Sequence, residues 1–271
     1  MIKELRDEAK IKGNLDPIYH AKTRPAQSEA EAINRLIYLS EVAGYPKLYI
    51  VHTSTKLGVD EIRKARARGV ENLYCETCTQ YLTYSEEKYI EGGNVEGIKY
   101  ICAPPLRKKE DVESLWLAIA DGTVDVIATD HCPFFYESEK LPYKDDFFNA
   151  PGGIPGVEER MEVILTQGLK RGISLDRLID LLCKNPAKIF GLAYKKGSID
   201  IGKDADIAIF DKKSYTISQD NRHSACDYTT YEGFETSYKL NTLIFKGDIL
   251  LDPYGYYGKE GMGEFIERKF V

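Results

Sequence analysis

Residues 125 to 134 read DVIATDHCPF: an apolar run, Val126, Ile127 and Ala128, that stops at Asp130, His131 and Cys132. A short run of this kind reads as a buried strand. Three side chains able to bind a metal or move a proton follow where that strand would emerge. An aspartate closing such a strand is costly unless it is paired or metal-bound, or serves as a helix cap or loop anchor. The residues alone leave those readings open. If the strand continues to alternate, His131 points away from the face of Asp130.

Upstream, the same grammar repeats. Ser28 with Glu31 has the form of a capping box, which predicts a helix from Ser28 to Ala43, closed by Gly44 and Pro46. KLYIVHTST follows as a strand ending on His52, and GVDEIRKARARG predicts a helix stopped by Gly69. VENLYCETC is the next strand, and EDVESLWLAIADG predicts a helix with Val112, Leu115, Trp116 and Ile119 on one face. Strands alternating with helices imply a parallel sheet with helical crossovers. Three strand ends then carry the reactive side chains: His52, the Cys75/Glu76/Cys78 group, and Asp130. Ligand chemistry in such folds sits at the carboxyl ends of the strands.

Past Asp130 the sequence FFYESEKLPYKDDFFNAPGGIPG, aromatic and rich in Gly and Pro, predicts a long loop over a site. Helices are predicted over Val157 to Lys170 and Leu175 to Phe190, the second capped by Ser174. From Gly197 the pattern turns to strands of a second, smaller domain. The nineteen tyrosines are scattered, which suits surface and interface packing.

Composition narrows the function classes. The 271 residues hold 37 Lys plus Arg against 43 Asp plus Glu, a net charge of -6. That balance disfavours nucleic acid or an anionic membrane as partner. No stretch has the length of a membrane span and the opening MIKELRDEAKIKG is too charged for a signal peptide, so a cytoplasmic location is expected. The six dispersed cysteines are expected as free thiols. CETC has the spacing of half a zinc ribbon but has no second pair, and it closes a strand where a redox motif would open a helix. Phosphate-binding and serine-nucleophile motifs are absent. The histidines are four: His20, His52, His131 and His223. His52, at a strand's exit, is the most informative of them; the lesser alternative is a hydrogen-bonded strand-end histidine without a function.

The blocks DPIYHAKTRP, LYIVHTST, YCETCTQYLT, KYICAPPLR, IATDHCPF, NPAKIFGL and KKGSIDIGKDADIAIFD occur in this order. In order and spacing the chain resembles the hydantoinase/dihydropyrimidinase branch of the amidohydrolase superfamily, from about residue 5 almost to the end. The resemblance implies an α/β fold: about the last three strands of an amidohydrolase-type TIM barrel over residues 1–194, then part of a small β-sandwich over 195–271. It implies metal-dependent opening of a cyclic amide, a hydantoin or dihydropyrimidine, at a binuclear centre of divalent ions, usually zinc. His52 matches a metal-ligating histidine. Asp130 matches the aspartate that both ligates metal and shuttles the proton. Ala103 stands where the family's SPPLR segment offers main-chain contacts to substrate, and Gly152 stands near a substrate-binding asparagine.

The remaining family ligands, a His-x-His, a carboxylated lysine and a further histidine, have no counterpart in this chain. The likeness is therefore to the C-terminal half of such an enzyme, inactive alone and needing an N-terminal half as partner. A homo-oligomer is expected. The rivals are a non-catalytic dihydropyrimidinase-like oligomerising or binding protein, and a truncated gene product.

Overall fold

The computed structural model describes residues 1–269. They fall into two compact units: Met1–Arg160 with Ser218–Glu232, and Met161–Ile217 with the chain from Gly233 onward.

In the first unit, helices α1 (Ile2–Ile11), α2 (Ile18–Lys22) and α3 (Ala26–Val42) lead to strand β1 (Leu48–Ile50). Then come α4 (Lys56–Ala67), β2 (Leu73–Cys78), α5 (Thr79–Thr83), α6 (Gly93–Gly97), α7 (Lys109–Ala120) and β3 (Val126–Ala128). The strands form a parallel sheet in the order β1–β2–β3. β2 serves both neighbours: Leu73 to Cys75 pair with Leu48 to Ile50, and Glu76 to Cys78 with Val126 to Ala128. Ile50, Leu73, Cys75, Val126 and Ile127 are buried, as expected of strands covered on both faces.

Helix α4 makes the crossover from β1 to β2 that parallel pairing requires. It buries Val59, Ile62 and Ala65, which share one helical face. Its first turn is held from three directions. Thr55 Oγ1 accepts the N–H of Gly58 at 3.0 Å, and Asp111 on α7 accepts that of Lys56 at 2.8 Å. Glu29 on α3 accepts the N–H groups of Ser54 and Thr55 at 3.0 and 2.9 Å. These bonds satisfy donors that a helix start leaves open. Gly69 and Gly122, at φ 88 and 87, end α4 and α7.

Several expected boundaries move. α3 starts at Ala26, with Pro25 rather than Ser28 before its first turn. Ser28 Oγ donates to the Pro25 carbonyl at 2.7 Å, so it caps nothing. Helix α8 (Arg160–Lys170) starts three residues after Val157. The N–H groups of Gly156 and Val157 are occupied by the ring of His131 instead. The helix expected over 175–190 is broken into α9 (Leu175–Ile179), a π turn (Asp180–Lys184) and α10 (Asn185–Ile189). Pro186 has no N–H to give, which explains the irregular turn before it. Ser174 does cap α9, accepting from the N–H of Arg177 at 3.2 Å. The tyrosines are not confined to surfaces: Tyr81, Tyr89 and Tyr231 are fully buried, and the Tyr84 ring packs on Tyr100 and Tyr231 at 5.5 and 5.3 Å.

The second unit holds α9, α10 and most of α8, with β4 (Ile207–Asp211), β5 (Tyr215–Thr216), β6 (Glu235–Thr236), β7 (Lys239–Phe245), β8 (Asp248–Asp252) and β9 (Gly255–Tyr256). An antiparallel sheet runs β4–β7–β8–β9, and β5 pairs with β6. Lys246 and Gly247, at φ 52 and 93, make the two-residue turn between β7 and β8, the geometry whose twist matches a hairpin. Among the described residues no helix is long and apolar enough to cross a membrane. The six cysteines are free thiols.

Candidate functional site

His52 and Asp130 each lie two residues beyond the end of a parallel strand, β1 and β3. Each has a left-handed backbone, φ 41 for His52 and 48 for Asp130. That conformation is unfavourable for residues with a Cβ, and such strain concentrates at functional sites. Of the other non-glycine residues with positive φ, Lys246 sits in the hairpin turn, and Tyr45 and Asn72 lie just before β1 and β2.

Glu76 on β2 lies between them in the sheet order. Its carboxylate accepts the main-chain N–H of His52 at 3.0 Å and the Tyr49 hydroxyl at 2.6 Å. Cys78, on the same face of β2, has its sulfur 3.9 Å from Glu76 Oε1. Burial, and then the carboxylates of Glu76 and Asp130, hold the Cys78 thiol well above its ordinary range. Burial also pushes the Cys75 thiol up to about 12. Both are therefore held as thiols in the metal-free chain, and among the described residues they belong to no group of three donors able to hold a metal ion. Asp130 itself is exposed, so the cost of burying it is not incurred here.

His131 does not simply alternate. The turn at Asp130 ends the strand geometry, and His131 instead pairs with Ile154 in a parallel bridge. Its Nδ1 accepts from the N–H groups of Gly156 and Val157 at 3.1 and 3.3 Å, which leaves the proton of a neutral ring on Nε2. It lines a cavity of about 600 Å³ with Phe134, Phe135, Glu158, His223 and Cys226. His223 Nδ1 lies 2.8 Å from Glu158.

A second cavity, of about 500 Å³, brings His52 and Ala103 together, with Tyr49, Arg24, Glu29 and Arg107 also in its wall. Asp130 and Gly152 are not among its lining residues. Gly152 is nevertheless next to Ala103: a Cβ built on it would sit 4.0 Å from the Ala103 Cβ. Among the described residues, the main-chain N–H and C=O of Ala103 and Gly152 have no hydrogen-bond partner.

The segment around Ala103 is fixed by residues that the sequence pattern did not single out. The His20 ring nitrogen Nε2 meets the Cys102 carbonyl at 2.7 Å, and the Tyr81 hydroxyl donates to that of Pro104 at 2.8 Å. Tyr89 accepts the Leu106 N–H at 2.9 Å, and Lys140 donates to the Ile101 carbonyl at 2.9 Å. His20 is buried, and burial, then the charge of Arg24, lowers its pKa to about 3, so the ring is neutral and donates through Nε2. Its presence in DPIYHAKTRP, and that of Tyr81 in YCETCTQYLT, were the sequence signals for this frame.

Among the described residues, no three of His, Cys, Asp and Glu form a group able to hold a metal ion.

Residues 19–250 match the amidohydrolase family. The chain belongs to that family. Its likeness is to the hydantoinase/dihydropyrimidinase branch. It is 40% identical over 267 residues to a D-hydantoinase of Rhizobium radiobacter, covering 98% of this chain and 58% of the relative. The structure of a D-hydantoinase from Bacillus sp. AR9 superimposes with a TM-score of 0.95 at 37% identity, covering 99% of this chain and 59% of that one. A dihydropyrimidinase from Brevibacillus agri gives 0.95 at 37% identity, with 100% and 59% covered. The chain thus spans less than two thirds of the length of these relatives.

Proposed function

We propose that this sequence forms one part of a cyclic-amide hydrolase that opens hydantoin or dihydropyrimidine rings. The observation that carries this reading is the pair His52 and Asp130, each just past a strand's carboxyl end and each held in a left-handed backbone. In this reading β1–β3 are the last strands of a (β/α) barrel that ends near residue 194, and residues 195–271 contribute to a β-sandwich.

Asp130 is the group proposed to handle protons. Its exposed carboxylate can take a proton from a water attacking the ring carbonyl and return it to the amide nitrogen as the C–N bond breaks. His52 and Asp130 are proposed as this chain's share of a divalent metal centre, with zinc the expected ion. Two side chains fall short of the three that a protein normally gives a catalytic zinc, so the rest would come from the part of the relatives that this chain does not span. The unpartnered main-chain groups of Ala103 and Gly152 are proposed to receive the ring's amide groups. Leu36, Tyr38, Leu39 and Val42 are exposed on α3, which supports association with the completing segment or with further copies.

The test is hydrolysis of a hydantoin and of a dihydropyrimidine by this chain assembled with the completing segment. Asp130→Asn is expected to leave the fold intact and to lower the rate on the order of a hundredfold or more. A nearly normal rate in that variant, or a dead His131→Ala beside it, would overturn the assignment.

A further inference from the structure

Lys140 is the most anomalous side chain in the first unit. It is 0% exposed, at the end of a π turn (Tyr136–Lys140) in which Glu137 and Ser138 face solvent. Lysine is almost never buried without partners, because an unpaired ammonium is costly away from water. Here the partners are main-chain carbonyls. Nζ donates to Ile101 at 2.9 Å and to Pro151 at 3.2 Å. The Gly153 N–H joins the same two segments, donating to the Ile101 carbonyl at 3.0 Å. Burial lowers the Lys140 pKa to about 8, so the group is still mostly an ammonium, and a strong donor, at neutral pH.

What these bonds leave alone is as informative as what they hold. Among the described residues, Ile101, Cys102, Pro151 and Gly153 all have main-chain groups engaged, whereas Ala103 and Gly152 have none. We propose that Lys140 is a positioning residue of the site: it clamps the 101 and 151 segments together so that the main-chain groups of Ala103 and Gly152 stay aligned for substrate. This rests on the hydrolase reading given above, which assigns those two residues to the substrate.

Two measurements test it. The first needs no activity: amide hydrogen exchange on the chain and on Lys140→Met, which keeps the length of the side chain and loses the donors. The Gly153 amide is expected to exchange on the order of tenfold faster in the variant, with β2 and α7 unchanged. Unaltered protection of Gly153 would overturn the clamp.

The second is kinetic, on the assembled enzyme. Misaligned binding groups raise KM, on the order of tenfold, with kcat within about threefold. A purely structural lysine would instead reduce the active fraction, lowering kcat at constant KM, and that result also overturns the proposal. Lys140→Gln keeps an N–H donor and is expected to fall between the wild type and Lys140→Met in both measurements; it carries the test if Lys140→Met does not fold. Wild-type enzyme that opens neither ring class overturns the hydrolase reading, and the role at the site with it, while exchange still reports separately on the clamp.

Discussion

Glu76 on β2 accepts the main-chain N–H of His52, beyond β1, at 3.0 Å, so a carboxylate on one strand fixes the backbone of a candidate ligand on the next. The same carboxylate takes the Tyr49 hydroxyl at 2.6 Å. Removing it takes this acceptor from two half-buried donors, at a cost below the roughly 1–3 kcal/mol of a fully buried group for each. Glu76→Ala is therefore expected to lower the urea midpoint clearly. Glu76→Gln, which retains one acceptor oxygen, is expected to lose less. Equal midpoints for both variants and the wild type would mean that Glu76 does not hold His52.

The chain by itself should bind divalent metal weakly, since His52 and Asp130 are two donors and no third completes a group among the described residues. Zinc measured by atomic absorption after dialysis against a chelator is expected to be far below one ion per chain. In the assembled enzyme His52→Ala should act mainly through metal occupancy, so excess zinc restores part of the activity. Stoichiometric zinc retained by the isolated chain would contradict this.

Gly152 and Gly153 are neighbours with opposite tolerance. A Cβ on Gly153 would lie 2.5 Å from the carbonyl oxygen of Cys132 and 2.8 Å from its Cβ, a contact the backbone cannot relieve without shifting. A Cβ on Gly152 meets only the Ala103 Cβ, at 4.0 Å. Gly153→Ala should cost roughly 1–3 kcal/mol by overpacking. Gly152→Ala should be neutral or stabilise by about 0.4–1 kcal/mol, because it restricts the unfolded chain. Thermal melts of the two variants compare them directly, and Gly152→Asn should also fold.

β1 and β3 were legible because each is an apolar run next to polar residues, and α4 and α7 because their apolar spacing has the helical period. His52 and Asp130 stood out for the same reason: both follow apolar runs. Their strain was not visible, since left-handed φ values at residues other than glycine have no pattern in sequence. Lys140 and Glu29 were also hidden. A buried lysine looks like any solvated lysine until its carbonyl partners, 39 and 11 residues away, are known. Glu29 reads as part of a helix's polar face although it caps the helix that follows. The tyrosine core was missed because tyrosine carries no periodic signal when its partners come from distant loops. The break before Pro186 could have been read from the proline itself.

His20 gives the fold a defined acid sensitivity. Its pKa is about 3 in the folded chain against 6.5 in an ordinary setting, lowered first by burial and then by Arg24, with Lys140 and Arg6 adding to the effect. The Cys102 carbonyl opposes the shift, and the rings of Tyr89 and Phe147 complete the surroundings. Among the described residues Nδ1 has no partner, so a protonated ring would bury an unsatisfied N–H. Because the folded value is depressed, the unfolded chain binds the extra proton first. The stability from the neutral ring is full above about pH 6.5 and is lost as pH falls towards 3, with a limiting slope of about 1.4 kcal/mol per pH unit. His20→Gln can still donate to the Cys102 carbonyl but does not titrate in this window. Urea unfolding from pH 7 down to pH 4 should therefore show a shallower loss of stability in His20→Gln than in the wild type, and the two curves should converge or cross as pH falls. Parallel curves would show that His20 is not held neutral by its surroundings.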